Sequence, residues 1–429
     1  MPAPHPNKTI GVLVGGGPAP GLNSVIHAVT IEAINTGFQV YGIMEGFKYL
    51  AAGEGEGNII PLSIRDVSRI HLKGGSILKT SRVNPTRDPK QLRNCVETLQ
   101  RFGISHLVTI GGDDTAYSAY RVARFAQEEM GLDIRSVHVP KTIDNDLPLP
   151  EGIPTFGFET AREVGTQIVR NIMEDALTTQ RWYIIVAMGR KAGHLALGIG
   201  KSAGTTLTII PEEFAQKPIR MQELADIIVG SIVKRLSMNL PYGVAIVAEG
   251  MMEIIDPKDF EFIDMIERDE HGHPRLAEVN SAAIIKNEVR KVLKELGIKM
   301  TIVDKELGYE LRCADPCAYD IDYTRSLGEA AVTFLREGGS NAMITIQQNE
   351  AKPIPYTELM DPQSGRTEVR MVNVNSFTYR SARKFMIRLE ENDFQDPERL
   401  SSIGRHIGIS TQEFVQRFGY LGGVAPRPF

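Results

Sequence analysis

Five short apolar runs, each stopping abruptly at glycine, aspartate or a charged residue, constrain this chain more than any other feature. Ile10–Val14 runs into 15–21 (GGGPAPG), Leu107–Ile110 into 111–115 (GGDDT) and Val137–Val139 into 140–146 (PKTIDND). Tyr183–Met188 runs into 189–194 (GRKAGH) and Val244–Ala248 into Glu249 and Gly250. Continuous apolar runs of this length fit strands buried on both faces, as in parallel sheets. Between and beyond them, apolar spacing predicts helices over 22–35, 89–102, 115–130, 159–177, 221–238 and 279–296. Alternation of strand and helix predicts a doubly wound α/β fold. In such sheets ligands bind beyond the carboxyl ends of the strands. The polar, glycine-rich tips stand at those ends, so they predict one site assembled from several strands.

Composition narrows the class. A length of 429 residues suggests two or three domains. Hydrophobic residues at 42% and charged residues at 24% exclude disorder as the main state. The net charge of -5 lacks the basic excess of a nucleic-acid binder. Forty glycines and only 7% aromatics favour tight strand-to-helix turns over a β-sandwich. No run approaches the ~18 apolar residues of a membrane span. The opening MPAPHPNK has no apolar stretch and reads as a loose lead-in, not a signal peptide. Three cysteines, Cys95, Cys313 and Cys317, argue against a disulfide framework and for a reducing, cytoplasmic setting. The C-x3-C pair lacks the partners of a zinc site and reads as ordinary buried thiols. Prolines predict a boundary near 147–156 and turns over 350–368; the charged stretch 256–275 reads as an exposed helix and turn. The tail from 381 reads as helical before it loops out at the end.

The motifs carry chemistry only jointly. GGGPAPG can bring backbone N–H groups to an anion at a helix N-terminus, or can be a bare turn. It fails the dinucleotide fingerprint, whose third glycine falls at Pro20, and 198–204 (GIGKSAG) fails the P-loop pattern at Leu195. Asp113 suits Mg²⁺, which takes one or two carboxylates plus substrate phosphates; alternatively Asp113 or Asp114 is the N-cap of the next helix. Lys141, Asp144 and Asp146 form a base-and-acid cluster that could also be a solvated turn. Arg82, Arg181 and Arg190 supply fork-shaped donors matched to phosphate. Carboxylates, a candidate base and arginines at the strand ends of one sheet system are the parts of phosphoryl transfer, where catalysis is mostly positioning and charge stabilisation.

Seven motifs in register across roughly 8–345 resemble the phosphofructokinase family: GGGPAPGLN, GGSILKTSR, GGDDT, PKTIDND, QRWYIIVAMGRKAGHLAL, VAEG and LGYELR. The resemblance implies two Rossmann-like domains with mostly parallel sheets and the active site in the cleft between them. A donor domain would comprise 1–156 plus about 315–380, and a sugar-phosphate domain 157–314 plus about 381–429. It implies Asp144 as general base toward the sugar 1-hydroxyl and Asp113 as the Mg²⁺ ligand, with Asp146 near it. Gly17 and Arg82 would contact the donor. Thr142, Ile143, Asp144, Met188, Gly189, Arg190, Glu249, Tyr309 and Arg312 would line the fructose 6-phosphate site. Arg181 would reach a neighbouring subunit's site, which implies a homodimer or homotetramer with shared sites. The family's phosphate-binding arginine six residues before Tyr309 is replaced by Val303, with Lys305 nearby.

The donor turns on Asp114. ATP-using members have GGDG, whose last glycine leaves room for the α-phosphate. An Asp there fills the space and repels the phosphate by about 1–4 kcal/mol at ~4 Å, for effective dielectrics of about 80 to 20. Lys141, where many ATP enzymes have Gly, can neutralise a pyrophosphate leaving group. The pair Asp114 and Lys141 resembles the pyrophosphate-dependent branch. The expected reaction converts fructose 6-phosphate and pyrophosphate, reversibly, to fructose 1,6-bisphosphate and phosphate. Alternatives are an ATP-dependent member, a nucleotide-binding oxidoreductase built on GGGPAPG, and a non-catalytic subunit. The last is disfavoured by retention of Asp113, Asp144 and Arg190.

Overall fold

The computed structural model describes residues 8–260, 280–360 and 368–427. Among them the strands, in chain order, are β1 (Thr9–Val14), β2 (Gln39–Ile43), β3 (Ile59–Pro61), β4 (His106–Gly111), β5 (Arg135–Pro140) and β6 (Trp182–Ala187). They continue with β7 (Leu207–Ile209), β8 (Gly243–Ala248), β9 (Ile302–Leu307), β10 (Ala342–Gln347) and β11 (Glu350–Pro355). The chain divides into two compact units, Met1–Val164 with Tyr309–Arg370, and Gly165–Gly308 with Met371–Phe429. The first division falls inside the helix Phe158–Thr179.

The first unit carries a sheet of order β11-β10-β5-β4-β1-β2-β3. It is parallel except at its two edges, where β3 and β11 run antiparallel. Its central strands β1, β4 and β5 are buried on both faces, as their apolar runs require. Val12 and Val14 join a core with the helices Leu22–Asn35 and Ala318–Arg336. Leu13, one residue out of phase, joins the opposite core with Pro89–Arg101 and Asp113–Met130. The chain leaves β1 toward β2 on one side and later returns to β4 on the other. The carboxyl end of β1 is therefore the switch point of the sheet, where ligands of doubly wound folds bind.

The second unit carries a parallel sheet of order β7-β8-β6-β9. Its core joins Trp182, Ile184 and Val186 to the helices Met221–Ser237 and Ser281–Glu295 and to the C-terminal Phe394, Phe414 and Phe418. The doubly wound α/β reading and the five strands read from apolar runs are therefore present, as are the six helices over their described residues.

Three expectations need correction. The prolines at 350–368 do not all mark turns: Pro353 and Pro355 lie in β11, an exposed edge strand where a missing N–H is tolerated. β11 pairs with β10 through Gln348 and Asn349, both left-handed (φ 55 and 65), as a two-residue hairpin turn demands. The thiols of the C-x3-C pair are not buried: Cys313 is exposed and Cys317 half-buried, and only Cys95 lies in a core. The helix after GGDDT starts at Asp113 with Gly112 as N-cap, so neither Asp113 nor Asp114 is the cap; both stand in its first turn. Of the stretch read as an exposed helix and turn, 261–275 lies outside the described residues. No helix among the described residues is long and apolar enough to cross a membrane.

Candidate active site

In the first unit the loops following β1, β4 and β5 are stitched together by backbone hydrogen bonds. Gly15 N–H donates to Ile110 O (2.9 Å), Lys141 N–H to Gly111 O (2.8 Å) and Gly16 N–H to Ser81 O (2.8 Å). The last bond brings in the segment that carries Arg82. Close approach explains the glycine at 15: a Cβ there would lie 2.3 Å from Thr115 Oγ1. The tips of three strands and the 80–82 segment thus meet at the switch point.

Lys141 is the centre of this cluster. It is buried, and its Nζ donates to Gly17 O at 2.6 Å. Burial pulls its ammonium down to about 8. Asp144 and Asp146 act against that fall, whereas Arg312 and Arg82 add to it. Asp144, Asp146, Arg82 and Arg312 therefore all act on one buried amine. Arg312 also lies beside Gly17, where a Cβ would sit 3.5 Å from its guanidinium carbon, and that carbon stands 5.0 Å from the Tyr309 ring centre.

The loop 141–146 is shaped by its own hydroxyls. Asp144 N–H donates to Thr142 Oγ1 (3.0 Å), and Thr155 Oγ1 donates to Thr142 O (2.7 Å). Ile143 is buried. Asp146 is pushed above the usual carboxylate range by burial, and then by the charge of Asp113. A carboxylate whose ionisation is opposed by burial and by a neighbouring acid is suited to sharing a cation with that neighbour. Among the described residues, no group of three or more His, Cys, Asp or Glu side chains is placed to hold a metal. Asp113 and Asp146 fit the other arrangement, in which Mg²⁺ takes one or two carboxylates and completes its shell with phosphate oxygens and water. Asp114 is exposed in the first helical turn; its N–H donates to Asp113 Oδ1 (2.9 Å) and its carbonyl accepts from Ser118 Oγ (2.8 Å).

In the second unit Met188, Gly189 and Arg190 follow the carboxyl end of β6, and Glu249 that of β8. Gly189 N–H donates to Glu249 Oε2 (3.1 Å), and Gly250 N–H returns to Gly189 O (3.1 Å). Gly189 has φ 142, a conformation open to glycine and few others. Arg190 is exposed, its Nε 3.2 Å from Glu253. Arg181 is not brought to this end. It precedes β6, so the whole strand, about 20 Å long, separates it from Met188.

Two residues of the first unit went unread in the sequence. Asp320, fully buried, accepts from Gly157 N–H (2.9 Å), Thr160 N–H (2.8 Å) and Thr160 Oγ1 (2.5 Å). It thereby supplies the start of Phe158–Thr179 with the acceptor it otherwise lacks. Arg370 donates to the backbone of the 145–153 segment. Neither position carries a local sequence signal.

Comparison with known proteins bears on this arrangement. A sequence model of the family described as Phosphofructokinase matches residues 9–335. The chain is 51% identical over 417 residues to a pyrophosphate–fructose 6-phosphate 1-phosphotransferase of Thermotoga maritima, covering 96% of this chain and 98% of the relative. It is 49% identical over 422 residues to a protein of the same name from Naegleria fowleri, covering 96% and 95%. In fold it is similar to the crystal structure of a pyrophosphate-dependent phosphofructokinase from Nitrosospira multiformis, with a TM-score of 0.69 at 18% identity, over 89% of this chain and 92% of that one.

Proposed function

The chain belongs to the phosphofructokinase family, and on that premise we propose that it moves a phosphoryl group from pyrophosphate to the 1-hydroxyl of fructose 6-phosphate. The new bond joins the sugar O1 to phosphorus, and the bridging P–O bond of pyrophosphate breaks. The products are fructose 1,6-bisphosphate and phosphate, and the reaction runs in both directions. The observation that carries this reading is Lys141, a buried amine among two acidic and two basic groups at the switch point, bonded to Gly17.

Asp144 takes the hydroxyl proton as O1 attacks. Lys141 holds positive charge against the departing phosphate, where charge develops. Gly17 and Arg82 bind the donor, and Asp114 stands against the α-phosphate that ATP would bring. Asp113, with Asp146, would hold Mg²⁺, which when bound supplies neutralising charge to the donor's phosphoryl oxygens. Thr142, Ile143, Met188, Gly189, Arg190, Glu249, Tyr309 and Arg312 orient the sugar phosphate. Arg181, at the far end of β6, serves a neighbouring subunit's site, so the working form is a homodimer or homotetramer. The three free cysteines support a reducing, cytoplasmic setting.

The test is stoichiometry. Purified protein with Mg²⁺, fructose 6-phosphate and pyrophosphate should yield fructose 1,6-bisphosphate and phosphate in equal amounts, and the two products should regenerate pyrophosphate. Absence of both conversions from folded protein would overturn the reading.

A further inference from the structure

Asp144 and Asp146 flank a residue in an uncommon backbone state. Asn145 has φ 56, in the left-handed region that Asn tolerates but that disfavours most side chains. A change at this one residue would redirect the carboxylates on both sides of it.

Arg370 grips this turn from outside the motif. It lies beyond β11 and beyond the stretch matched by the family model, which ends at 335. Its Nε and Nη2 donate to Asn145 O at 3.1 and 3.0 Å, and Nη2 also donates to Asn145 Oδ1. Its Nη1 donates to Ile153 O at 2.7 Å and Leu149 O at 3.3 Å. Its own backbone N–H donates to Asp146 O at 2.8 Å. From the other side, Asn145 Oδ1 accepts Thr155 N–H at 3.0 Å. One planar fork thus spans both ends of the 145–153 segment, a geometry lysine cannot reproduce.

We propose that Arg370 is a positioning residue for phosphoryl transfer: it fixes the left-handed turn at Asn145 and thereby the directions of Asp144 and Asp146. The inference rests on the reading of Asp144 as base. A plain structural anchor would lower the unfolding temperature and leave the turnover of folded enzyme intact. A positioning residue lowers kcat, leaves both KM values nearly unchanged, and can be replaced by a free guanidinium ion.

The experiment uses the full chain with pyrophosphate, fructose 6-phosphate and Mg²⁺, as wild type, Arg370→Ala, Arg370→Lys and Asp144→Asn. Thermal unfolding is followed by circular dichroism, and kcat is titrated with guanidinium chloride against sodium chloride at equal ionic strength. Arg370→Ala should lose about 100-fold in kcat, the scale of a small misplacement of a catalytic group, with KM values held within about threefold. Millimolar guanidinium should restore at least about tenfold, and Arg370→Lys should fall between Ala and wild type. A kcat within about threefold of wild type in Arg370→Ala overturns the proposal, as does a loss that guanidinium does not relieve. Should Arg370→Ala fail to fold, Arg370→Lys decides by the same kcat and KM criteria. Full activity in Asp144→Asn would instead remove the base assignment. An inactive Asp144→Asn beside a normal Arg370→Ala would remove the present inference alone.

Discussion

Replacing Lys141 by arginine should abolish an alkaline limb in the use of pyrophosphate. The lysine is buried, and burial draws its ammonium from 10.5 down to about 8, with Asp144 opposing the fall. Near pH 7 about nine-tenths of free enzyme then carries the charge, and near pH 9 about one-tenth. In the proposed role of Lys141 the charged form binds the donor, so kcat/KM for pyrophosphate should fall about tenfold per pH unit above about 8. Bound pyrophosphate favours the ammonium, so the limb in kcat should lie at higher pH than the limb in kcat/KM. Arginine stays charged throughout, and the limb should vanish in Lys141→Arg even if the absolute rate is lower. Initial rates at subsaturating pyrophosphate between about pH 6.5 and 9.5, at constant ionic strength, test this. The ratio of wild type to variant cancels the ionisation of pyrophosphate itself. A ratio that stays flat across the range would refute the reasoning. The same shift has a stability consequence. The unfolded chain holds the Lys141 proton up to about 10.5 and the folded chain only to about 8. Between those values the unfolded state binds more protons, so this side chain's contribution to stability rises with pH across that window.

Other outcomes follow from the same geometry. Asp144→Asn should lose about 10²–10⁴ in kcat, the usual size of a general-base contribution, with substrate affinity much less affected; steady-state kinetics decide it. Arg181→Ala should raise KM for fructose 6-phosphate with little change in stability, and mixing it with Asp144→Asn after dissociation and reassembly should restore activity through intact hybrid sites. A fully active monomer would contradict that shared arrangement. Asp320→Ala removes the acceptor for Gly157 N–H and two Thr160 donors in a buried position. It should cost about 3 kcal/mol, read from the urea unfolding midpoint.

What the sequence conveyed depended on locality. β1, β4, β5, β6 and β8 are continuous apolar runs because both their faces are covered, and the loops that follow them carry their chemistry within a few residues. β9 was invisible because Asp304, Lys305 and Glu306 interrupt it; as the edge of its sheet it can accept charges. β11 was misread because its prolines are turn signals everywhere except at an edge. In the candidate site, Asp113, Lys141, Asp144 and Asp146 stand inside glycine-rich or turn motifs, so their clustering is legible there. Arg370 and Asp320 were not, since each acts on partners more than 150 residues away, at separations of 225 and 160. Asp320 sits in the first turn of a helix and looks like an ordinary surface acid until its burial is seen. The depressed amine of Lys141 was likewise out of reach, because it arises from packing of three loops and not from the neighbours it has in the chain.

The central claim concerns the donor, and kcat/KM with pyrophosphate and with ATP, for wild type and Asp114→Gly, tests it most directly. Wild type should use pyrophosphate and show no appreciable turnover of ATP. Asp114→Gly removes the volume and the like charge that oppose an α-phosphate and leaves Asp113 and Asp144 in place. If the relieved repulsion is about 1–4 kcal/mol, its ATP use should rise about 5- to 1,000-fold while its efficiency with pyrophosphate falls. A wild-type enzyme that turns over ATP as well as pyrophosphate would contradict the account.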